Sequence, residues 1–210
     1  MKIINPEVKL LLCEDPIKLL KKIERCGRLC YKSEGRITSD SYVKFLKGVI
    51  ARGHLSVIEH GVVTALVTCD RGVSHEIVRH RIGSYSQESQ RYVKYITGIE
   101  VIKPNLGGNS LANVKWESAI QFAEDRYKEL LDMGLPAEIA RSILPNATKT
   151  EIAITYNFRE WRHFIKLRGS KGAHPQIREI VMLLLKELQK NIPVIFDDFT
   201  VKDGLIERII

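Results

Sequence analysis

The densest polar stretch of the chain runs from Arg79 to Tyr92 and carries Arg79, His80, Arg81, Ser84, Tyr85, Ser86, Gln87, Glu88, Ser89, Gln90 and Arg91. Arginine forks bind phosphate oxygens in pairs, and hydroxyls and backbone N–H groups fill the remaining directions, so this segment can build an anion site. Hydrophobic spacing predicts a short helix from about Val73 to Arg81 feeding a loop. On a regular helix, Arg79 and Arg81 would diverge by about 200°. They then serve two ligands or two subunits rather than clamp one small group. A solvated basic face explains the same residues on type alone.

Two further segments group polar side chains. Asn157 to Gly172 holds Arg159, Arg162, Lys166, Arg168 and Lys171, interleaved with Phe158, Trp161, Phe164, Ile165 and Leu167. Aromatic and basic residues mixed in this way suit either a half-buried helix or a nucleic-acid surface. Gly53 to Gly61 places His54, Ser56, Glu59 and His60 just before an apolar run. Several chemistries are excluded. His75 and His80 are a near miss for a zinc-binding HExxH pair, because five residues separate them by about 140° on a helix. No P-loop, GxGxxG or GxSxG pattern occurs, and no metal site is expected.

The elements that must position these groups are mixed. Asp15 and Pro16 open a helix with Ile17, Leu20, Ile23, Cys26, Leu29 and Cys30 on its apolar face. Asp40 caps a second helix ending at Gly53. Gly61 to Cys69 reads as a buried strand, Tyr92 to Ile96 as an alternating one, and Glu151 to Tyr156 as another. Helices are predicted over Val114–Asp132, Pro136–Leu144, Glu160–Leu167 and Pro175–Asn191, with a loop at Pro104–Ser110. Without a regular βαβ rhythm, the expectation is α+β: a small β-sheet with several helices in one domain, 1–210. The cysteines at 13, 26, 30 and 69 show no paired-ligand spacing and read as buried small hydrophobes. With 33 basic against 25 acidic residues the chain carries +8, which suits an anionic partner such as a nucleotide, a phosphorylated cofactor or nucleic acid. Neither a membrane-length apolar run nor a signal-peptide pattern is present, so a cytoplasmic protein is expected.

In order along the chain, these motifs resemble the flavin-dependent thymidylate synthases. Arg79-His80-Arg81, Ser89 and Arg91 match that family's signature of RHR, seven residues, Ser, one residue, Arg. Gly53-His54 with Glu59-His60 is similar to its upstream element, Ala140-Arg141 with Leu144-Pro145 to its A-R-x-x-L-P element, and Asn157, Arg159 and Arg168 to its C-terminal ones. The resemblance spans about 53 to 180.

It implies a homotetramer with active sites at subunit interfaces. The implied reaction converts dUMP to dTMP without an enzyme nucleophile, with 5,10-methylenetetrahydrofolate as carbon donor and FAD, reduced by NADPH, as hydride source. The implied FAD contacts are Ser56, Glu59, Arg79, His80, Arg81, Gln87, Asn157, Arg159 and His163. The implied dUMP contacts are Glu76, Arg79, Gln87, Glu88, Ser89, Gln90, Arg91, Arg141 and Arg168, with Arg168 polarising the uracil ring. An arginine suits that task because it stays charged. Ser56 stands where a threonine is common, Ser86 where an asparagine is frequent, His163 where some members have Asn, and Glu76 where some have Gln. Two other readings stay open: a flavoprotein with a changed substrate, which the Glu76 departure motivates, and a basic nucleic-acid-binding protein.

Overall fold

A computed structural model describes residues 1–12 and 14–208, so Cys13 lies outside the described residues. The element order is β1 (Lys2–Ile4), β2 (Glu7–Leu11), α1 (Pro16–Leu29), α2 (Ser41–Ala51), β3 (Val62–Asp70), α3 (Arg71–Ile77), β4 (Ser84–Gln87), β5 (Glu100–Ile102), α4 (Ser110–Asp132), α5 (Ala137–Ala140), β6 (Lys149–Asn157), α6 (Phe158–Arg168), α7 (Pro175–Asn191), β7 (Phe199–Lys202) and β8 (Leu205–Arg208). Short 3-10 turns cover Glu34–Arg36, Leu55–His60 and Arg141–Ile143. The chain is thus mixed helix and sheet, as expected. Its strands form one four-stranded sheet in the order β2-β3-β6-β4 and two pairs, β1-β5 and β7-β8.

The chain divides into two compact units. One comprises Met1–Glu7, Thr68–Arg79 and Ser86–Ile152, and the other Val8–Val67, His80–Tyr85 and Ala153–Ile210. In the first, β1 and β5 run parallel, with Ile3 opposite Val101. Ile99, Val101 and Ile120 form a small core there, against which Tyr95, Trp116 and Leu144 pack.

In the second unit, the Asp15 carboxylate accepts the Lys18 N–H at 2.9 Å and Pro16 takes the first turn, so α1 starts where cap chemistry predicts. Gly27 is needed for close approach, since a Cβ there would lie 2.7 Å from Val57 and 2.8 Å from Phe45. Beside it, buried Glu24 accepts from Arg28 Nε at 2.8 Å and from Ser41 Oγ at 2.8 Å, tying α1 to the start of α2. Helix α6 is seated on β3: the Phe158 N–H donates to the Gly61 carbonyl at 2.9 Å and the Trp161 indole to the Val63 carbonyl at 3.0 Å.

Several expectations are corrected. Helix α3 starts at Arg71, capped by Asp70 through the Val73 N–H at 2.8 Å, and ends at Ile77 rather than near Arg81. Arg79 and Arg81 therefore lie beyond it, and the helical angle between them does not apply. Ser84–Gln87 is a strand where a loop was expected. Tyr92–Ile96 is not a strand: the Tyr92 and Val93 N–H groups turn back to the Ser89 carbonyl at 3.1 and 3.0 Å. Only Tyr95 of this segment packs on the small core, while Tyr92 and Ile96 are 78% and 71% exposed. Asp40 makes no cap; its carboxylate takes the Thr38 hydroxyl instead. Helix α4 begins earlier than predicted, capped by Asn109, and the predicted helix to Leu144 is α5 followed by a 3-10 turn. Cys69 is buried but Cys30 is exposed, because α1 ends with Leu29 already facing solvent.

Candidate active site

In the second unit the β6–α6 junction builds a cavity. The Asn157 side chain caps α6 by accepting the Glu160 N–H at 2.8 Å. This aims the helix's first turn at the 3-10 turn Leu55–His60. A cavity of about 600 Å³ opens there, and Glu59, Asn157, Arg159 and His163 line it. Four of the nine implied flavin contacts thus come together. Lys166, Glu160, Leu55 and Ile82 share its walls. Arg159 donates to Glu59 at 2.6 Å, both side chains being about half exposed (55% and 41%) and so accessible to a ligand. Ser56 sits exposed on the same 3-10 turn, outside the cavity lining, and Arg81 is exposed too.

Arg162 also lines the cavity, but its charge is spent within the chain. It donates to both Asp198 oxygens at 2.6 Å and to the Ile195 carbonyl, and stands 4.7 Å over the Phe199 ring. The charge left for an anion comes from Arg159 and Lys166, while Leu55 and Ile82 give an apolar wall. This donor set fits FAD, which presents a diphosphate and a flat ring system.

Behind the cavity wall lies a buried polar chain. His80 is 6% exposed. Its Nδ1 lies 3.1 Å from Glu160 Oε1, and its Nε2 accepts from Arg168 Nε at 3.1 Å. Arginine can only donate, so Nε2 must be the unprotonated nitrogen and Nδ1 carries the proton toward Glu160. Burial holds the His80 pKa below its ordinary value, the Glu160 hydrogen bond opposing this and the nearby Arg168 charge assisting it. The neutral ring is the result. Its edge contacts are aromatic, with Phe164 at 4.9 Å and His163 at 5.6 Å between centroids. The Tyr85 hydroxyl donates to the His80 carbonyl, and the Tyr156 hydroxyl lies 2.5 Å from that of Tyr85. Burial raises the pKa of both tyrosines. Gly83 passes so close to the Tyr156 ring that any Cβ would collide with Tyr156 Cδ1 and Cε1.

His80, Glu160 and His163 also offer potential metal-ligand atoms within 4.8 Å of one another. The arrangement disfavours a cation. Both His80 nitrogens are already hydrogen-bonded, and the Arg168 guanidinium adds positive charge beside them.

In the first unit the end of the signature segment is fastened by side chains. Gln87 donates to Ser74 Oγ at 2.9 Å and to Thr150 Oγ1 at 3.1 Å. Glu88 accepts from the Tyr95 hydroxyl at 2.8 Å and from Lys149 at 3.1 Å, which neutralises its charge. The Arg91 N–H donates to Ser89 Oγ at 3.3 Å, and its guanidinium reaches Glu138 on α5 at 3.5 Å. That brings Arg91 to the element just before Arg141. Gln90 is buried; its amide lies near the Tyr95 hydroxyl, yet Nε2 makes no well-formed hydrogen bond. Glu76 is half-buried on α3, and Arg79 is exposed just past its end.

Sequence reasoning assigned no site role to Glu160 or Tyr156, and it named Lys166 and Tyr85 only as members of polar segments. Glu160, three residues after Asn157, carries the signature of a capping acid, and that signal points to the helix start rather than to His80. The aromatic-basic helix reading fails on geometry. Phe158, Trp161 and Phe164 are buried, so no base can stack on them.

Residues 16–194 match the family model described as thymidylate synthase complementing protein. A flavin-dependent thymidylate synthase of Geobacter sulfurreducens is 39% identical over 181 residues, 82% of this chain and 78% of the relative. One from Mycobacterium tuberculosis is 36% identical over 205 residues, 87% and 81% of the two chains. Among solved structures, the UMP/dUMP methylase PolB of Streptomyces cacaoi, bound with 5-Br dUMP, superposes with a TM-score of 0.78 at 23% identity, covering 94% of this chain and 96% of that one.

Proposed function

The chain belongs to the family of flavin-dependent thymidylate synthases, and we propose here which of its residues carry that activity. The reaction is the reductive methylation of dUMP to dTMP, with 5,10-methylenetetrahydrofolate as the one-carbon donor. Bound FAD, reduced by NADPH, supplies the hydride. The observation that carries the residue assignment is the cavity at the start of α6, where Glu59, Asn157, Arg159 and His163 converge.

In this reading Arg159 and Lys166 hold the cofactor's diphosphate by charge, and Leu55 and Ile82 exclude water from one face of its ring. Glu59 keeps Arg159 in place, and His163 and Asn157 add polar contacts. Ser56 and Arg81, in the same unit, add to the cofactor site, and the resemblance assigns cofactor contacts to Arg79 and Gln87 as well. Arg79, Arg91 and Arg141 clamp the dUMP phosphate, and Ser89 and the backbone of Glu88 and Gln90 fill the remaining directions. Glu76, half-buried on α3, would need a shared proton or a bridging water to face an anion. Arg168 stabilises negative charge that develops on the uracil ring and so raises the nucleophilicity of C5, with no covalent attack by the protein.

The family match runs through both units, which supports one catalytic domain over 1–210. A homotetramer with shared sites is supported by large exposed apolar side chains on α4, Leu111, Val114 and Phe122, each more than 60% exposed. No helix among the described residues is long and apolar enough to cross a membrane, and a cytoplasmic location accords with nucleotide synthesis.

The test is a visible spectrum of the purified protein, followed without oxygen as NADPH and then dUMP are added, with dTMP measured after folate is supplied. A flavin spectrum that bleaches and yields dTMP is expected. A protein that neither contains nor takes up FAD would overturn the reading. Arg168→Ala should keep FAD and the fold while losing turnover, and wild-type turnover in that variant would remove Arg168 from its role.

A further inference from the structure

We propose that Glu160 and His80 form a positioning relay for Arg168: Glu160 holds the His80 proton on Nδ1, which leaves Nε2 as the acceptor that fixes the Arg168 guanidinium through its Nε–H. The inference rests on the assignment of Arg168 to the uracil ring. It gives the histidine of the signature motif a role other than cofactor contact, because both of its ring nitrogens are bonded within the chain.

The geometry leaves the ring little freedom. Phe164 and His163 meet it edge-on at 4.9 and 5.6 Å, Tyr156 stands at 6.4 Å, and the Tyr85 hydroxyl holds its backbone carbonyl. A flipped ring would keep the same packing but offer carbon atoms to Glu160 and Arg168. The tautomer is the remaining variable. A neutral imidazole has one donor and one acceptor nitrogen, and a carboxylate can only accept. Glu160 therefore selects Nδ1–H, and Nε2 is left bare for Arg168. An amide in place of the carboxylate can donate as well as accept, so it permits the opposite tautomer, in which two N–H groups would face each other.

The bond to His80 gives Arg168 a direction at Nε. This arginine is the last residue of α6, followed by Gly169 at the C-cap, and its side chain has four rotatable bonds. A bond at Nε fixes the plane of the guanidinium, which a bond at a terminal nitrogen does less well. Orientation of a charged group to within a fraction of an ångström is what separates transition-state stabilisation from mere binding.

The experiment compares the FAD-loaded enzyme with Glu160→Gln, His80→Gln and His80→Phe. Nitrogen NMR of isotope-labelled histidine reads the tautomer, with His80 assigned by its loss in His80→Phe. Flavin content, kcat and the KM for dUMP are read on all four proteins. In the wild type, Nδ1 should carry the proton. Glu160→Gln should lower kcat by about 10- to 100-fold, the usual cost of removing an outer partner, with flavin content and KM changed by less than about twofold. His80→Gln, which can still present an oxygen near the Nε2 position, should keep more kcat than His80→Phe, which keeps the packing but offers no acceptor. A proton on Nε2 in the wild type would overturn the proposal, as would wild-type kcat in Glu160→Gln. So would a parallel fall of thermal stability, flavin content and kcat, which marks a purely structural role. If the wild type makes no dTMP, the functional reading falls, and the tautomer alone still decides whether the relay exists.

Discussion

Replacing Gly83 by alanine tests how the signature segment is held. Gly83 does not need its glycine for a left-handed backbone, since its φ is not among the positive values. It needs it for room. A Cβ would run into Cδ1 and Cε1 of Tyr156 and lie 3.0 Å from the Thr155 carbonyl oxygen. Tyr156 cannot withdraw easily. It is 1% exposed, with Trp161 at 4.4 Å and Phe164 at 6.1 Å behind it. Overpacking a close-fitted site costs about 1–3 kcal/mol. A shifted Tyr156 ring also gives up its hydroxyl contact with Tyr85, worth about 0.5–1.5 kcal/mol net. The expected loss is about 1.5–4.5 kcal/mol, read as a shift of the urea midpoint at unchanged slope. Because the pushed ring adjoins His80, kcat should fall as well. A double-mutant cycle sharpens the test. Tyr156→Val is itself costly, but it opens space, so Gly83→Ala should cost at least about 1 kcal/mol less in that background. A Gly83→Ala protein within about 0.5 kcal/mol of wild type, or strict additivity with Tyr156→Val, would refute the close-approach argument.

Two further outcomes follow from the same site. The folded pKa of His80 is held below its unfolded value, so the folded state takes up its proton later as pH falls. Stability from this group is complete above the unfolded value near 6.5 and declines below it, toward the folded value. The pH dependence of unfolding free energy below that point should be shallower in His80→Phe than in wild type, and equal slopes would count against a neutral buried ring. Lys166 supplies charge to the cavity without a partner of its own among the bonds described above. Lys166→Ala should weaken FAD affinity by about 10-fold, the worth of one charge-assisted hydrogen bond, with the urea midpoint unmoved. Unchanged FAD titration would remove it from the cofactor site.

The elements legible in the sequence are those whose signals are local. Helix α7 occupies the predicted residues because Pro175 can only open a helix and the apolar spacing then runs unbroken to Leu188. Strands β3 and β6 were visible because long β-rich runs need a buried place. Among the described residues, the six strands no periodicity revealed, β1, β2, β4, β5, β7 and β8, have three to five residues each, too few for alternation to register. Tyr92–Ile96 shows the reverse error. Alternation there was real, but a strand also needs a neighbour for its N–H groups, and these turn back to Ser89 instead. The end of α3 was illegible for a related reason. Helix spacing continues to Arg81, while Tyr85 holds the His80 carbonyl, and Tyr85 and Gly83 are both set against Tyr156, a residue over 70 positions away.

The candidate site divides along the same line. Motif order located the segments that hold Glu59, Arg159 and Arg168, since residue type at fixed spacing is a sequence property. What each charge does depends on its partner, and partners come from folding. Five Lys/Arg residues between Asn157 and Gly172 look alike in sequence, yet they separate by environment. Arg162 is consumed by Asp198, Arg159 is shared with a half-exposed Glu59, and Arg168 is held by a buried imidazole. Burial decides the energetic meaning of each. A half-exposed pair such as Arg159–Glu59 is worth about 0–1 kcal/mol, so it can open for a ligand at little cost. A pair with a buried arginine such as Arg162–Asp198, whose partner is only partly exposed, costs up to about 3–5 kcal/mol to break from one side and so acts as a fixture of the fold. Arg168 stands between these limits, half-buried and oriented by a neutral partner that leaves its charge uncompensated at that contact. A neutral acceptor at Nε gives the guanidinium direction without a counter-charge at that contact, which is what the role proposed for Arg168 asks of it.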